Sequence, residues 1–597
     1  MTLILFAFIA LVFICAFRIS YSSEKLFSIE SIGTNFFLLI FMIAHLLGAS
    51  KLLDTWSIFL FTFFLLLVVF LLPKDKKIGF DSVRVLAAAV RRCWIQLFLV
   101  SMLFLFIGIV TYFLPIYTWD VLEYHTYPVM IWVKNSGFIY DHGVLGTKRA
   151  SILPMGFEAM QALLGVLSVN DIPIKFLEFT AGLLGGVYLF KILREINGNN
   201  ESHFVLHVNL ALAYMLSPAV LIQLGASRND LTTNSFFIGI ILFGFRYLKS
   251  PSMVSIVYLG ICFGMVLGIK PINIVPATFF VFIILACSYL YRDTKLKYLF
   301  RSAAWFGLIS FSVGSFWYIK NLIIYRHPLP ASAPASFKDG ILDFSNFYKY
   351  LKGDVHRLFD VGATFTSDFG DGAGWGPQFF LLVISSLGFL LLSKSSIKRD
   401  LGFWACFVLY AFGIVYMVHQ FSKNNPWNFR YFIWISTFPY LFTAFIANHI
   451  RQITAWSYFV FGISFAYGTI TAHIPADANA DVIRQNMAKD VCERSSAFTA
   501  RYQPGQIRYI VENIPKELPV TYQRVRQARF IYSLVDPCWE RPLSLCIFSD
   551  TVEKLSKCME ENGSKIVISS HVLKSKLVAS RDFTQIFPGI FIKESSF

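Results

Sequence analysis

Charge is what this sequence has least of. Asp, Glu, Lys and Arg make up 15% of its 597 residues, where soluble chains carry about 25%. That deficit excludes an ordinary soluble globular protein. Motif absences narrow the chemistry further. There is no HExxH, no Walker lysine loop and no DxD, which argues against a zinc protease, an ATPase and a typical nucleotide-sugar enzyme. No CxxC spacing occurs, so the cysteines do not read as a zinc site. Acid is scarcer than base, with 36 acidic residues against 52 basic ones and a net charge of +16. In so apolar a chain the basic excess is first an orientation signal, and it does not point to nucleic acid.

Apolar length fills the space that charge leaves. The hydrophobic fraction is 56% and the mean hydropathy +0.60. Runs near the roughly 20 residues that cross a bilayer recur from Leu3 to Ala472. The runs predict spans over 3–17, 33–49, 55–72, 94–114, 172–190, 203–222, 232–246, 253–269, 273–290, 302–320, 377–393, 401–418, 431–448 and 454–472, about fourteen in all. The expected fold is therefore an all-α polytopic membrane protein. Basic loops at 73–93, 291–301 and 394–399 fall on one side by alternation, and the positive-inside rule makes that side cytoplasmic. The loops 115–151, 223–231, 321–376 and 419–430 then face outside, in the plasma (bacterial cytoplasmic) membrane. Arg18 directly follows the first apolar run, the wrong polarity for a cleavable signal peptide, so an uncleaved span is expected.

From about His473 the composition becomes that of a soluble domain. Residues 473–597 predict a small extracytoplasmic α/β domain following the membrane domain 1–472. QIRYIVENI reads as helix and ARFIYSLV and KIVISS as strands. In DTVEKLSKCMEENG, Asp550 is the expected N-cap, Glu553 completes the box and Gly563 is the stop. Of nine cysteines, Cys15, Cys93, Cys262, Cys287 and Cys406 lie in or beside spans as small apolar residues. Cys492, Cys538, Cys546 and Cys558 fall in the tail, where an oxidising exterior permits disulfides in any of three pairings.

Chemistry-bearing residues collect in the outside loops. In TWDVLEYHTYPVMIWVKNSG, a helix would put Asp120, Glu123 and Tyr124 on one face. Two readings stand for this group: a carboxylate pair that accepts a proton from a hydroxyl, or a helix-start cap. His125 either bonds a loop carbonyl or supports the acid. Asp230 either forms a surface ion pair with Arg228, or ligates a metal or orients an acceptor. Lys270 and Arg430 either snorkel to headgroups or bind a phosphate. His45 and His207, inside spans, read as satisfied core histidines.

Taken together, Asp120, Tyr124-His125, Trp132, Gly137, Pro154 and Glu158 form a D-x3-YH…W…G…P-x3-E pattern. With SRNDL at Ser227–Leu231 and WYIKNLIIYRHPLPASAP at Trp317–Pro334, the chain resembles the bacterial GT-C glycosyltransferases. That superfamily holds the protein O-mannosyltransferases and the lipid A aminoarabinose transferases. The resemblance spans roughly residues 94–450; where the family has a Gly-Asn-Pro exit turn, this chain reads Arg326-His327-Pro328. It implies a polyprenyl-phosphate sugar donor, an acceptor hydroxyl on a glycan, lipid or protein, and inversion at the anomeric carbon. Asp120 would be the general base, with Glu123, His125 and Asp230 around it. Arg228, Lys270, Arg430 and Arg149 would hold the donor phosphate. Tyr124, Trp132, Glu158, Lys320 and Asn321 would contact substrate. The resemblance fixes no cofactor and leaves a divalent metal ion as an open alternative. Two other classes compete: an O-antigen-type polymerase or ligase, which works through arginines in a late outside loop, and a non-enzymatic lipid or glycan transporter.

Overall fold

The computed structural model describes residues 2–23, 28–70, 81–114, 121, 125–140, 152–168, 170–198, 200–292, 295–328, 375–392, 401–421, 426–447, 450, 452–478, 480–489, 509–510, 513–515, 518–522, 543–545, 551–561, 563–568, 576–580, 582–588 and 590–593. Helices dominate. In chain order the first are α1 (Thr2–Ser23), α2 (Ile29–Ala49), α3 (Thr55–Phe70), α4 (Asp81–Phe113), α5 (Thr126–Lys134), α6 (Gly156–Ser168) and α7 (Ile172–Ile196). Next come α8 (Phe204–Met215), α9 (Pro218–Gln223), α10 (Asp230–Lys249), α11 (Met253–Ile269), α12 (Ile274–Arg292), α13 (Leu296–Gly314) and α14 (Phe316–Tyr325). After α15 (Pro377–Leu392) and α16 (Leu401–Phe421), a 3-10 segment, Pro426–Thr437, leads into α17 (Phe438–Ala447), α18 (Ile453–Ala478) and α19 (Ala480–Met487).

Among the described residues seven helices are long and apolar enough to cross a membrane, or eight if α13 and α14 form one bent span. The chain is a multi-pass helical membrane protein. Among the described residues three of the predicted runs are interrupted, and the reasons are local. The run 203–222 breaks between α8 and α9 at Ser217-Pro218, since a proline cannot donate to the preceding turn. The run 302–320 breaks at Ser315, where α13 and α14 meet at 66°. The run 431–448 starts as the 3-10 segment and becomes α-helical only at Phe438. Four shorter apolar helices complete the set.

One bundle core unites these helices. Helix α10 is its axis: α7, α11, α12 and the 3-10 segment all pack against it, and nearly every residue from Asp230 to Leu248 is buried. Lipid-facing sides carry the large exposed residues, such as Trp56, Phe98 and Phe300. The His45 ring donates from Nδ1 to the Phe41 carbonyl at 2.7 Å and accepts the Trp317 indole N–H at 3.0 Å, so it is a satisfied core histidine. His207 pairs with Asn197 at 2.9 Å. Gly137 has a backbone reason: a Cβ there would lie 2.6 Å from the Lys51 Cα and 3.0 Å from the Gly48 carbonyl oxygen. The turn after α5 crosses the end of α2 at that point, with the Phe138 N–H donating to Gly48.

The C-terminal part holds a five-stranded sheet of order β2-β1-β3-β5-β4. Its strands are β1 (Val520–Tyr522), β2 (Leu543–Leu545), β3 (Ile566–Ile568), β4 (Phe583–Phe587) and β5 (Ile590–Lys593). The first three are mutually parallel and the last two form an antiparallel hairpin. Helix α20 (Val552–Glu561) covers one face through Leu555 and Met559, against Val567, Phe583 and Phe591. The hydroxyl of Thr551, just before α20, accepts the Lys554 N–H at 3.3 Å; the expected N-cap Asp550 lies outside the described residues. Gly563 stops the helix at φ +64. ARFIYSLV lies outside the described residues.

Candidate active site

The site assembles at the N-terminus of α10. A helix start exposes N–H groups with no intrahelical partner and attracts negative charge, and here it is buried, so its partners must be protein groups. The Glu178 carboxylate, on α7, accepts the Thr232 N–H at 3.0 Å and the Thr232 hydroxyl at 3.2 Å. Asp230 opens α10, and cations occupy both of its carboxylate oxygens. Lys270, at the end of α11, binds Oδ1, while Arg430, in the 3-10 segment, places Nε 3.2 Å from Oδ2. Asp230 is 2% exposed, so the surface ion pair with Arg228 is replaced by a buried pair with two other cations. Arg228, 1% exposed, adds its charge to the field at Asp230. Lys270 and Arg430 both turn to Asp230. Arg430 is buried, and both lie over the Tyr431 ring, at 3.9 Å for Lys270 Nζ and 5.0 Å for the Arg430 guanidinium carbon.

Asn229 joins this group to a second acid. Its side-chain oxygen accepts from Lys270 at 3.1 Å, and its side-chain nitrogen donates to Glu158 at 3.4 Å. Glu158, 1% exposed on α6, also meets His125 Nδ1 at the start of α5. Gln161, one turn along α6, donates to the carbonyl of Ser227 at 3.2 Å, and Ser227 takes a left-handed φ of +55. The residues from His125 through Glu158, Asn229, Lys270 and Asp230 to Arg430 are one continuous polar chain.

Trp132, Lys320 and Asn321 fall in a separate aromatic group. Trp132 stacks on Trp317 at 5.7 Å and donates to the Ile139 carbonyl at 3.0 Å. Lys320 sits among the rings of Trp317, Tyr140 and Tyr325, each 5.4–5.6 Å away. Burial pushes the Tyr140 phenol up to about 12, so it stays a hydrogen-bond donor at neutral pH. Asn321 donates to the carbonyls of Ile152 and Pro328 at 2.7 and 2.9 Å, pinning the exit of α14 to the residues before α6.

Asp120, Glu123, Tyr124, Arg149, Cys492, Cys538 and Cys546 lie outside the described residues. Cys558 is disulfide-bonded, while Cys15, Cys93, Cys262, Cys287 and Cys406 are not in disulfides. Among the described residues no group of three or more His, Cys, Asp or Glu side chains is arranged to hold a metal ion. Sequence reasoning missed Glu178, Asn234, Asn273 and Tyr431, and met Asn229 only as part of SRNDL. Glu178 carried a usable signal, since an acid inside an apolar run is costly and rarely idle. Asn234, Asn273 and Tyr431 carried none.

No family model matches the sequence, and no curated protein does. Among solved structures, ArnT from Cupriavidus metallidurans bound to undecaprenyl phosphate aligns over 84% of this chain and 98% of its own, with 11% identity and a TM-score of 0.47. The same protein in the apo state gives the same coverage, with 12% identity and a TM-score of 0.48. The Archaeoglobus fulgidus oligosaccharyltransferase in complex with zinc and sulfate aligns over 80% of this chain and 68% of its own, with 12% identity and a TM-score of 0.40.

Proposed function

We propose that this chain is a GT-C-type membrane glycosyltransferase that moves a sugar from a polyprenyl-phosphate donor to an acceptor hydroxyl on the outer face of the membrane. The observation that carries the reading is the convergence of Lys270 and Arg430 on Asp230, with Arg228 beside them. Cations drawn from separate elements meet at a buried helix start, an arrangement suited to a phosphate at the membrane boundary. The arginine fork binds phosphate in a bidentate way, and Lys270 adds a point charge.

The chemistry balances with this chain's residues. The acceptor O–H gives its proton to the Asp120 carboxylate, and the acceptor oxygen bonds to the anomeric carbon from the face opposite the phosphate. The bond from that carbon to the phosphate oxygen breaks, and its electron pair leaves with the polyprenyl phosphate. Lys270 and Arg430 hold the developing charge, so the leaving group needs no proton. In-line attack gives inversion.

The test is transfer from a synthetic polyprenyl-phosphate sugar by the purified chain in lipid, with product mass and anomeric configuration read out. Asp120→Asn should lose about 10²–10⁴-fold in turnover; a mutant within about threefold of wild type, far short of that loss, removes Asp120 from the mechanism. Movement of the lipid across liposomes with no sugar transferred favours a transporter instead. Comparing the envelope glycans of cells with and without the gene would identify sugar and acceptor together.

A further inference from the structure

We propose that Asn234 and Asn273 are positioning residues for the phosphate-binding cations: two buried carboxamides that fix the 3-10 segment so that Arg430 and Tyr431 meet Lys270 at Asp230. This rests on the donor-phosphate reading above.

The segment needs an external hold. It is assigned over 12 residues with a break at Phe432 (φ -122, ψ 28), whereas 3-10 runs beyond three or four residues are uncommon because their hydrogen bonds are poorly aligned. Asn234, one turn into α10, supplies part of that hold. Its amide nitrogen donates to the Asp230 carbonyl at 2.7 Å and the Arg430 carbonyl at 2.9 Å, and its oxygen accepts the Trp434 N–H at 3.0 Å. One side chain therefore ties the backbone of the acid to the backbone of its cation. Asn273, three residues after Lys270, does the same from the other side. It donates to the Tyr431 carbonyl at 3.1 Å and accepts the Trp434 indole N–H at 3.2 Å. Trp434 in turn stacks on Phe237 of α10, with centroids 4.0 Å apart. Tyr431 completes the contact, since its hydroxyl accepts from Arg430 at 3.0 Å while its ring lies under Lys270. Both asparagines are fully buried. Their polar atoms go to the one segment that presents Arg430, beyond the single bond to Asp230, and neither reaches the cations themselves.

The experiment measures donor and acceptor kinetics of Asn273→Ala, Arg430→Ala and the double variant in the transfer assay. Asn273→Ala should lose about tenfold or more in kcat/KM for the donor, since small misplacements of a positioned group are this costly, with acceptor KM unchanged. The double variant should be little worse than Arg430→Ala alone, because the asparagine acts through that arginine. A role in general stability would not produce that non-additivity. Normal donor kinetics in Asn273→Ala, or losses that add fully to those of Arg430→Ala, overturn the proposal. If Asn273→Ala is not recovered folded, Trp434→Phe decides by the same two criteria. It keeps an aromatic ring beside Phe237, removes the indole N–H that Asn273 accepts together with part of the ring, and should lose about fivefold. Normal kinetics in Arg430→Ala would sink the phosphate reading itself, and positioning with it. An impaired Arg430→Ala beside a normal Asn273→Ala would sink positioning alone.

Discussion

Asp230 answers two cations with one carboxylate, and its removal separates the candidate roles of the site. In Asp230→Asn, Lys270 and Arg430 lose their shared counter-charge inside the protein. Breaking a buried pair from one side costs about 3–5 kcal/mol, so the variant should melt well below wild type. A phosphate ligand would then supply the missing charge. Polyprenyl phosphate should accordingly raise the melting temperature of Asp230→Asn more than that of wild type, where it must compete with Asp230. A shift no larger than wild type's would mean that no phosphate binds between these two cations. Residue identity made part of this visible in advance: Lys270 and Arg430 stood out as charges at the ends of apolar runs. Asp230 stood out as well, but its pairing with them did not, because it lies two residues from Arg228 in sequence and pairs with charges 40 and 200 positions further on. Sequence proximity suggested the wrong ion pair, and three-dimensional packing supplied the right one.

At the scale of elements, α7 and α10 show how a buried helix start is made tolerable. Glu178 takes the Thr232 N–H that the helix cannot satisfy itself. Glu178→Leu should cost about 1–3 kcal/mol by leaving that donor buried and unpaired, whereas Glu178→Gln keeps an acceptor and should stay near wild type. Thermal melts of the two variants in the same detergent check this, and equal melting temperatures would show that capping is not why the acid is there. Hydropathy had marked most of these helices, because apolar length is a property of composition. It could not mark their ends. Ser217-Pro218 breaks one run by removing a donor, and the bend at Ser315 breaks another. The 3-10 form of Pro426–Thr437 depends on Asn234 and Asn273, which come from elsewhere in the chain. A window of hydropathy sees none of these.

Over the whole molecule, the path of the chain ties the candidate site to the tail. Asp230 opens α10 and Lys270 follows α11, so the pair of antiparallel helices returns to the side from which it left. In the proposed topology the chain crosses from Arg430 through α17 and returns through α18, which would deliver the C-terminal sheet to the site's side. The opposite ends carry Arg92, Lys191, Arg194, Arg246 and Lys249, gathered on Glu30, Glu195 and Glu201. The positive-inside rule would make such a basic end the cytoplasmic one, and the proposed function requires the site and the sheet on the outer side. The disulfide at Cys558 is consistent with that side, because such bonds persist in oxidising compartments and are reduced in the cytosol. Intact cells should therefore show no labelling of Cys558 by a membrane-impermeant maleimide until an impermeant reductant is added, and strong labelling afterwards. Cys15, Cys93, Cys262 and Cys406, buried in the bundle, should stay unlabelled in both conditions until the protein is denatured. Peptide mass spectrometry without reduction would name the partner among Cys492, Cys538 and Cys546. Labelling of Cys558 only after the membrane is permeabilised would place the tail in the cytoplasm. In the proposed topology the tail and the cation cluster share one side, so the same result would move the site inside with the tail, and an outward-facing transferase would no longer fit this chain.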